Sequence, residues 1–85
     1  MIIHTPRDLG KLVRARRLET GLNATKAADL AFVSRRLLIE LETGKRKQAG
    51  LANVLRILEI LGLSVDVSPR SQLAARPIGT REPDV

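Results

Sequence analysis

An 85-residue chain with 44% hydrophobic residues has apolar mass for one small core, and not for two domains or a walled active-site cavity. Its net charge is +6, and twelve of fifteen cations but only six of nine acids precede Leu63, so the excess sits on the part expected to fold and suggests an anionic partner, nucleic acid or membrane. With no apolar run near the ~20 residues of a spanning helix, no signal-peptide pattern, no cysteine for disulfides or thiolate metal sites, and Phe32 as the one aromatic for stacking single strands, a cytoplasmic protein on double-stranded DNA is the expectation.

The first helix is predicted from Pro6 to about Thr20. Thr5 is its N-cap, Pro6 takes the first helical position where a missing N–H costs nothing, and Asp8 favours the helix dipole. Its inward row Leu9, Val13, Arg17 ends on a cation that needs a carboxylate. Gly21 stops that helix, and Asn23 caps a second, from Ala24 to about Ala31. Ser34 caps the third, whose Leu37, Leu38 and Leu41 share one side while Arg35, Arg36, Ile39, Glu40 and Thr43 share the other. Glu42 lies between these faces, within reach of Arg17, and Glu40 offsets Arg36 at i, i+4.

Gly44 ends the third helix and Lys45, Arg46 and Lys47 follow in a loop. The fourth helix, Leu51 to Leu61, has an apolar sector about 160° wide, more than a small core uses, so part of it is expected to meet a second copy of the chain. After Gly62 the period-two run Leu63 to Val67 predicts a short strand. Its partner is either Ile2-Ile3 or, as favoured here, the same strand of another subunit. The dimer contact is accordingly assigned to Ile57, Ile60, Leu61, Leu63, Val65 and Val67. Residues 1–67 thus make one DNA-binding and dimerisation domain, and 68–85, with three prolines and sparse apolar residues, a disordered tail.

Two helices joined by a three-residue turn, the second carrying Arg35 and Arg36 in its first turn, form the outline of a helix-turn-helix. Arg35 and Arg36 can reach guanine O6 and N7, Ile39 a thymine methyl, and Lys45, Arg46 and Lys47 the phosphates beyond. His4 has no ligand cluster beside it, Glu40 and Glu42 do not face each other, and no phosphate loop or nucleophile constellation is present. Neither an enzyme nor a cofactor or metal site is expected.

The run RLETGLNATKAADLAFVSRRLLIELETGK resembles the Xre/Cro-type helix-turn-helix of phage repressors, most specifically at Arg17, Gly21-Leu22, Ala28, Val33-Ser34 and Leu41-Glu42-Thr43-Gly44-Lys45. The resemblance implies an all-α, lambda-repressor-like bundle of four or five helices, here with a short C-terminal β-strand. It also implies an Arg17–Glu42 ion pair, which the row of the first helix suggests independently. Where the family has glutamine this chain has Ala24, which leaves a phosphate to the first backbone N–H groups of the second helix with Asn23, Thr25 and Lys26. Where it has glycine this chain has Phe32, so either Phe32 adopts a positive φ or the turn is rearranged.

With HTPRDLGKLVRARR before the motif and LANVLRILEILGLSVDV after it, the layout is similar to HipB-type antitoxins. That similarity implies a homodimer that represses its own operon and binds a HipA-like kinase toxin. A stand-alone phage-type repressor and a protein-interaction module that never touches DNA stay open as alternatives.

Overall fold

The computed structural model describes residues 2–46 and 48–69. In chain order they form α1 (Pro6–Glu19), α2 (Ala24–Ala31), α3 (Arg35–Thr43) and α4 (Leu51–Ile60). Local chemistry opens the first three. The Thr5 hydroxyl accepts the Asp8 N–H at 3.1 Å while the Asp8 carboxylate accepts those of Thr5 and His4, a reciprocal capping box. These bonds to the backbone, with His4 the largest contributor, hold the Asp8 carboxyl below the usual carboxylate range. Asn23 Oδ1 accepts the Lys26 N–H at 2.8 Å, and Ser34 Oγ accepts the Leu37 N–H at 3.0 Å.

The helices stop by one shared device, in which a residue one or two places past the helix turns left-handed and two N–H groups return to the last turn. Gly21, Gly44 and Gly62 fill that position after α1, α3 and α4, whereas Phe32 fills it after α2, at φ 58°. The Phe32 N–H donates to the Asp29 carbonyl at 3.2 Å and the Val33 N–H to the Ala28 carbonyl at 3.0 Å. The turn therefore keeps its form and Phe32 accepts the angle, the residue standing 83% exposed. Only Phe32, Val33 and Ser34 separate α2 from α3.

α1 packs on α3, and α2 packs on both α3 and α4. The first contact depends on Gly10: a β-carbon there would stand 2.2 Å from the Leu41 carbonyl oxygen and 2.9 Å from that of Glu42. Behind α3 lies the core of Val13, Ala27, Ala28, Ala31, Leu37, Leu38, Leu41, Ile57, Leu58 and Leu61. Two arginines on neighbouring helices satisfy carbonyls at helix ends. Arg16 Nε donates to the Leu61 carbonyl at 2.8 Å, closing α4, and Arg56 Nε donates to the Ala31 carbonyl at 2.9 Å, closing α2.

Two expectations concern the C-terminal part, the strand and the dimer contact. Leu63 to Val67 forms no strand among the described residues, and Ile2-Ile3 does not pair with it; within one chain the segment lacks the ladder partner that a strand requires. Ile57 and Leu61, assigned to a dimer contact, are each 1% exposed and belong to the chain's own core. Ile60 and Leu63 are partly buried against that core, while Val65 and Val67 are exposed. The outward apolar residues of α4 are instead Leu51 and Leu55. Of the expected tail, only Ser68 and Pro69 fall within the described residues.

Candidate nucleic-acid interface

The face opposite the core on α3 begins with Arg35 and Arg36, both exposed, directly after the Ser34 cap. Ile39, one turn later, is half-buried. The orientation of this face is fixed at the other end of the helix. Arg17 Nε donates to Glu42 Oε2 at 2.7 Å and Arg17 Nη2 to Glu42 Oε1 at 3.0 Å, a forked pair with both side chains buried. Arg17 Nη1 also donates to the Leu22 carbonyl at 3.0 Å, so one guanidinium ties α1, the turn after it and α3 together. Its bond to the Glu42 carboxylate raises Arg17 above the usual guanidinium value despite burial.

Past α3 the chain folds back along the same face. Arg46 Nη1 donates to Glu40 Oε1 at 2.8 Å and Arg46 Nε to the Gln48 carbonyl at 3.0 Å. Arg36 Nε donates to the other Glu40 oxygen at 3.1 Å. Glu40 therefore accepts from two arginines at once, and the bonds from Arg46 first and Arg36 second hold its carboxyl below the usual carboxylate range. Lys45 is exposed, and Lys47 lies outside the described residues.

At the opening of α2, Asn23, Thr25 and Lys26 are exposed. Asn23 and Ser34 each commit a side-chain oxygen to a helix cap, so their direct part is to aim the helices that they open. Arg36, Glu40 and Arg46 come together through contacts. Asn23, Thr25 and Lys26 make no side-chain bond to that cluster among the described residues. Two further participants were not singled out from sequence. One is Arg46 as a partner of Glu40. The other is exposed Arg7, whose aliphatic stem lies so close to Gly44 that a β-carbon there would be 3.3 Å from its Cγ, which places another cation beside the loop. No group of residues that could hold a metal ion occurs among the described residues, and no helix there is long and apolar enough to cross a membrane.

Four short helices, a three-residue turn between the second and third, and a cationic first turn on the third describe one arrangement. Residues 8–70 match the model of the helix-turn-helix domain family. The chain belongs to that family. This helix-turn-helix domain is also 42% identical over 65 residues to the uncharacterized HTH-type transcriptional regulator y4mF of Sinorhizobium fredii (strain NBRC 101917 / NGR234), an alignment spanning 76% of this chain and 84% of that protein. The matched region takes in α2, α3, α4 and all of α1 but its first two residues, so the family likeness extends over the core as well as the turn.

Proposed function

We propose that the protein is a sequence-specific regulator that binds double-stranded DNA with α3 in the major groove. The observation that carries this reading is the exposure of Arg35 and Arg36 on the first turn of a helix whose far end is locked by the buried Arg17–Glu42 fork. A rigid mount is what base reading demands, because a displacement of about an ångström loses a bidentate contact. Arg35, Arg36 and Ile39 face base edges. Lys45 and Lys26, with Asn23 and Thr25, face phosphates, and Lys47 is assigned the same role from the sequence. Arg46 belongs to the same loop, with part of its guanidinium already bonded to Glu40 and Gln48.

In the same reading the protein works as a homodimer on a pseudo-palindromic site, placing two α3 helices about 34 Å apart, one turn of B-DNA. Support comes from the apolar surface left around α4, where exposed Leu51, Leu55, Val65 and Val67 line a groove with Ile2 and Ile3. Leu63 to Val67 would gain its ladder partner from the second subunit. The name of the Sinorhizobium relative supports transcriptional control. The HipB-like layout supports the more specific role of an antitoxin that represses its own operon and binds a HipA-like kinase toxin.

Selection of random duplex DNA by the purified protein near about 0.15 M salt tests the reading. Two enriched inverted half-sites one helical turn apart are expected. Arg35→Ala then relaxes preference at one base position, whereas Lys47→Ala weakens all sequences alike and lowers the salt slope by about one. No enriched sequence, or enrichment of single half-sites by a monomer, overturns the corresponding part.

A further inference from the structure

A carboxylate on a face meant for phosphates is costly, because it repels the polyanion that the surrounding cations attract. Glu40 is such a carboxylate, 27% exposed at the centre of the cationic face, and its geometry gives it a purpose. We infer that Glu40 is a specificity-determining positioning residue, holding Arg36 in one orientation for reading a guanine and holding Arg46 back from the phosphate contacts. This rests on the DNA-binding reading above.

Arg36 is 84% exposed, so an isolated side chain at this position would sample many rotamers. Its Nε is instead bonded to Glu40 Oε2 at 3.1 Å, while Nη1 and Nη2 have no protein partner among the described residues. A guanidinium can approach guanine O6 and N7 either through Nε with one Nη, or end-on through both Nη groups. With Nε occupied, the end-on fork alone remains. Holding one approach in advance lowers the ordering cost of the correct contact, and it denies Arg36 the rotamers in which it would settle on a phosphate.

The second Glu40 oxygen does the complementary task on the loop. Arg46 is bonded to Glu40 Oε1 at 2.8 Å and to the Gln48 carbonyl at 3.0 Å, and the Glu40 carbonyl itself accepts the N–H groups of Lys45 and Arg46. Arg46 is thereby committed to shaping the loop. The sequence-independent attraction falls to its neighbours, so Glu40 subtracts general affinity while it sharpens selection.

Glu40→Gln removes the charge while keeping a carbonyl oxygen of the same reach. Affinities of wild type, Glu40→Gln, Arg36→Ala and the double variant for the selected site, its single-base variants and a scrambled duplex test the inference, with melting curves to establish folding. Expected for Glu40→Gln is tighter binding to the scrambled duplex and a loss of about tenfold in discrimination. The loss falls at the base position that Arg36→Ala relaxes, and in the Arg36→Ala background Glu40→Gln no longer changes that position. Arg46→Ala, which cuts the loop contact without touching Arg36, leaves the preference there intact. Unchanged discrimination in Glu40→Gln, independent effects of the two variants, or an equal loss from Arg46→Ala overturns the role. A wild type that enriches no sequence overturns the DNA reading and this role with it, whereas an enriching wild type with an equally selective Glu40→Gln overturns this role alone.

Discussion

Phe32 carries a backbone angle that its side chain opposes. A non-glycine residue in the left-handed region costs on the order of 1–2 kcal/mol, and here the ring recovers little by burial because it stands in solvent. The two N–H bonds that close α2 are the compensation. Phe32→Gly should therefore raise stability by about 1 kcal/mol, the relief of the angle being partly offset by the freer unfolded chain. Urea unfolding of the two proteins measures it, and a lower midpoint for Phe32→Gly would mean that the ring makes a stabilising contact. From sequence the position was legible as a conflict only. The ladder of small inward residues Ala27, Ala28 and Ala31 lets α2 sit tightly against its neighbours, and the retained turn goes with that packing.

Among the elements, the approach of α1 to α3 decides where the cationic turn points. Gly10 lets the backbones come close, and the Arg17–Glu42 fork fixes the angle further along the same pair of helices. Gly10→Ala drives a methyl group into the Leu41 and Glu42 carbonyls, and since backbone cannot rotate away, the helices must part. The expected cost is about 1–3 kcal/mol, read by thermal melting, despite the better helix propensity of alanine. A neutral or stabilised variant would show that α1 is free to shift. The caps at Thr5, Asn23 and Ser34 and the inward row ending in Arg17 were legible because helix chemistry is local and periodic. Gly10 was not, since nothing in its neighbours along the chain announces a carbonyl from α3. The wide apolar sector of α4 was visible, but which part of it faces inward was not. Its division between buried Ile57 and Leu61 and exposed Leu51 and Leu55 depends on where α2 lies.

For the molecule as a whole, the two carboxyls held below their usual range contribute to the response to acid. Asp8 at the start of α1 and Glu40 on α3 are both bonded in the ionised form, and the folded state therefore binds their protons less readily than the unfolded chain. Their contribution is present above the ordinary carboxylate range and is lost as pH falls through the folded values. Melting temperature should be level at neutral pH and decline below roughly pH 4–5, and the double variant Asp8→Asn, Glu40→Gln should show a shallower decline. An equally steep fall in that variant would place the acid sensitivity elsewhere. The Arg36–Glu40 pairing was readable from its i, i+4 spacing. Arg46 was not, because only the folded-back loop returns it to Glu40, and Arg7 meets Gly44 from the first turn of α1, far away along the sequence.

The buried fork between Arg17 and Glu42 also constrains how descendants of this chain can diverge. Losing either member alone strands a charge at a cost of roughly 3–5 kcal/mol, most of what so small a fold has to spare, so neither codon drifts independently. Arg35 and Arg36 stand in solvent at the opposite end of the same helix, where replacement disturbs no packing. Lineages can therefore rewrite the outward letters of α3 one at a time while its mounting is inherited unchanged.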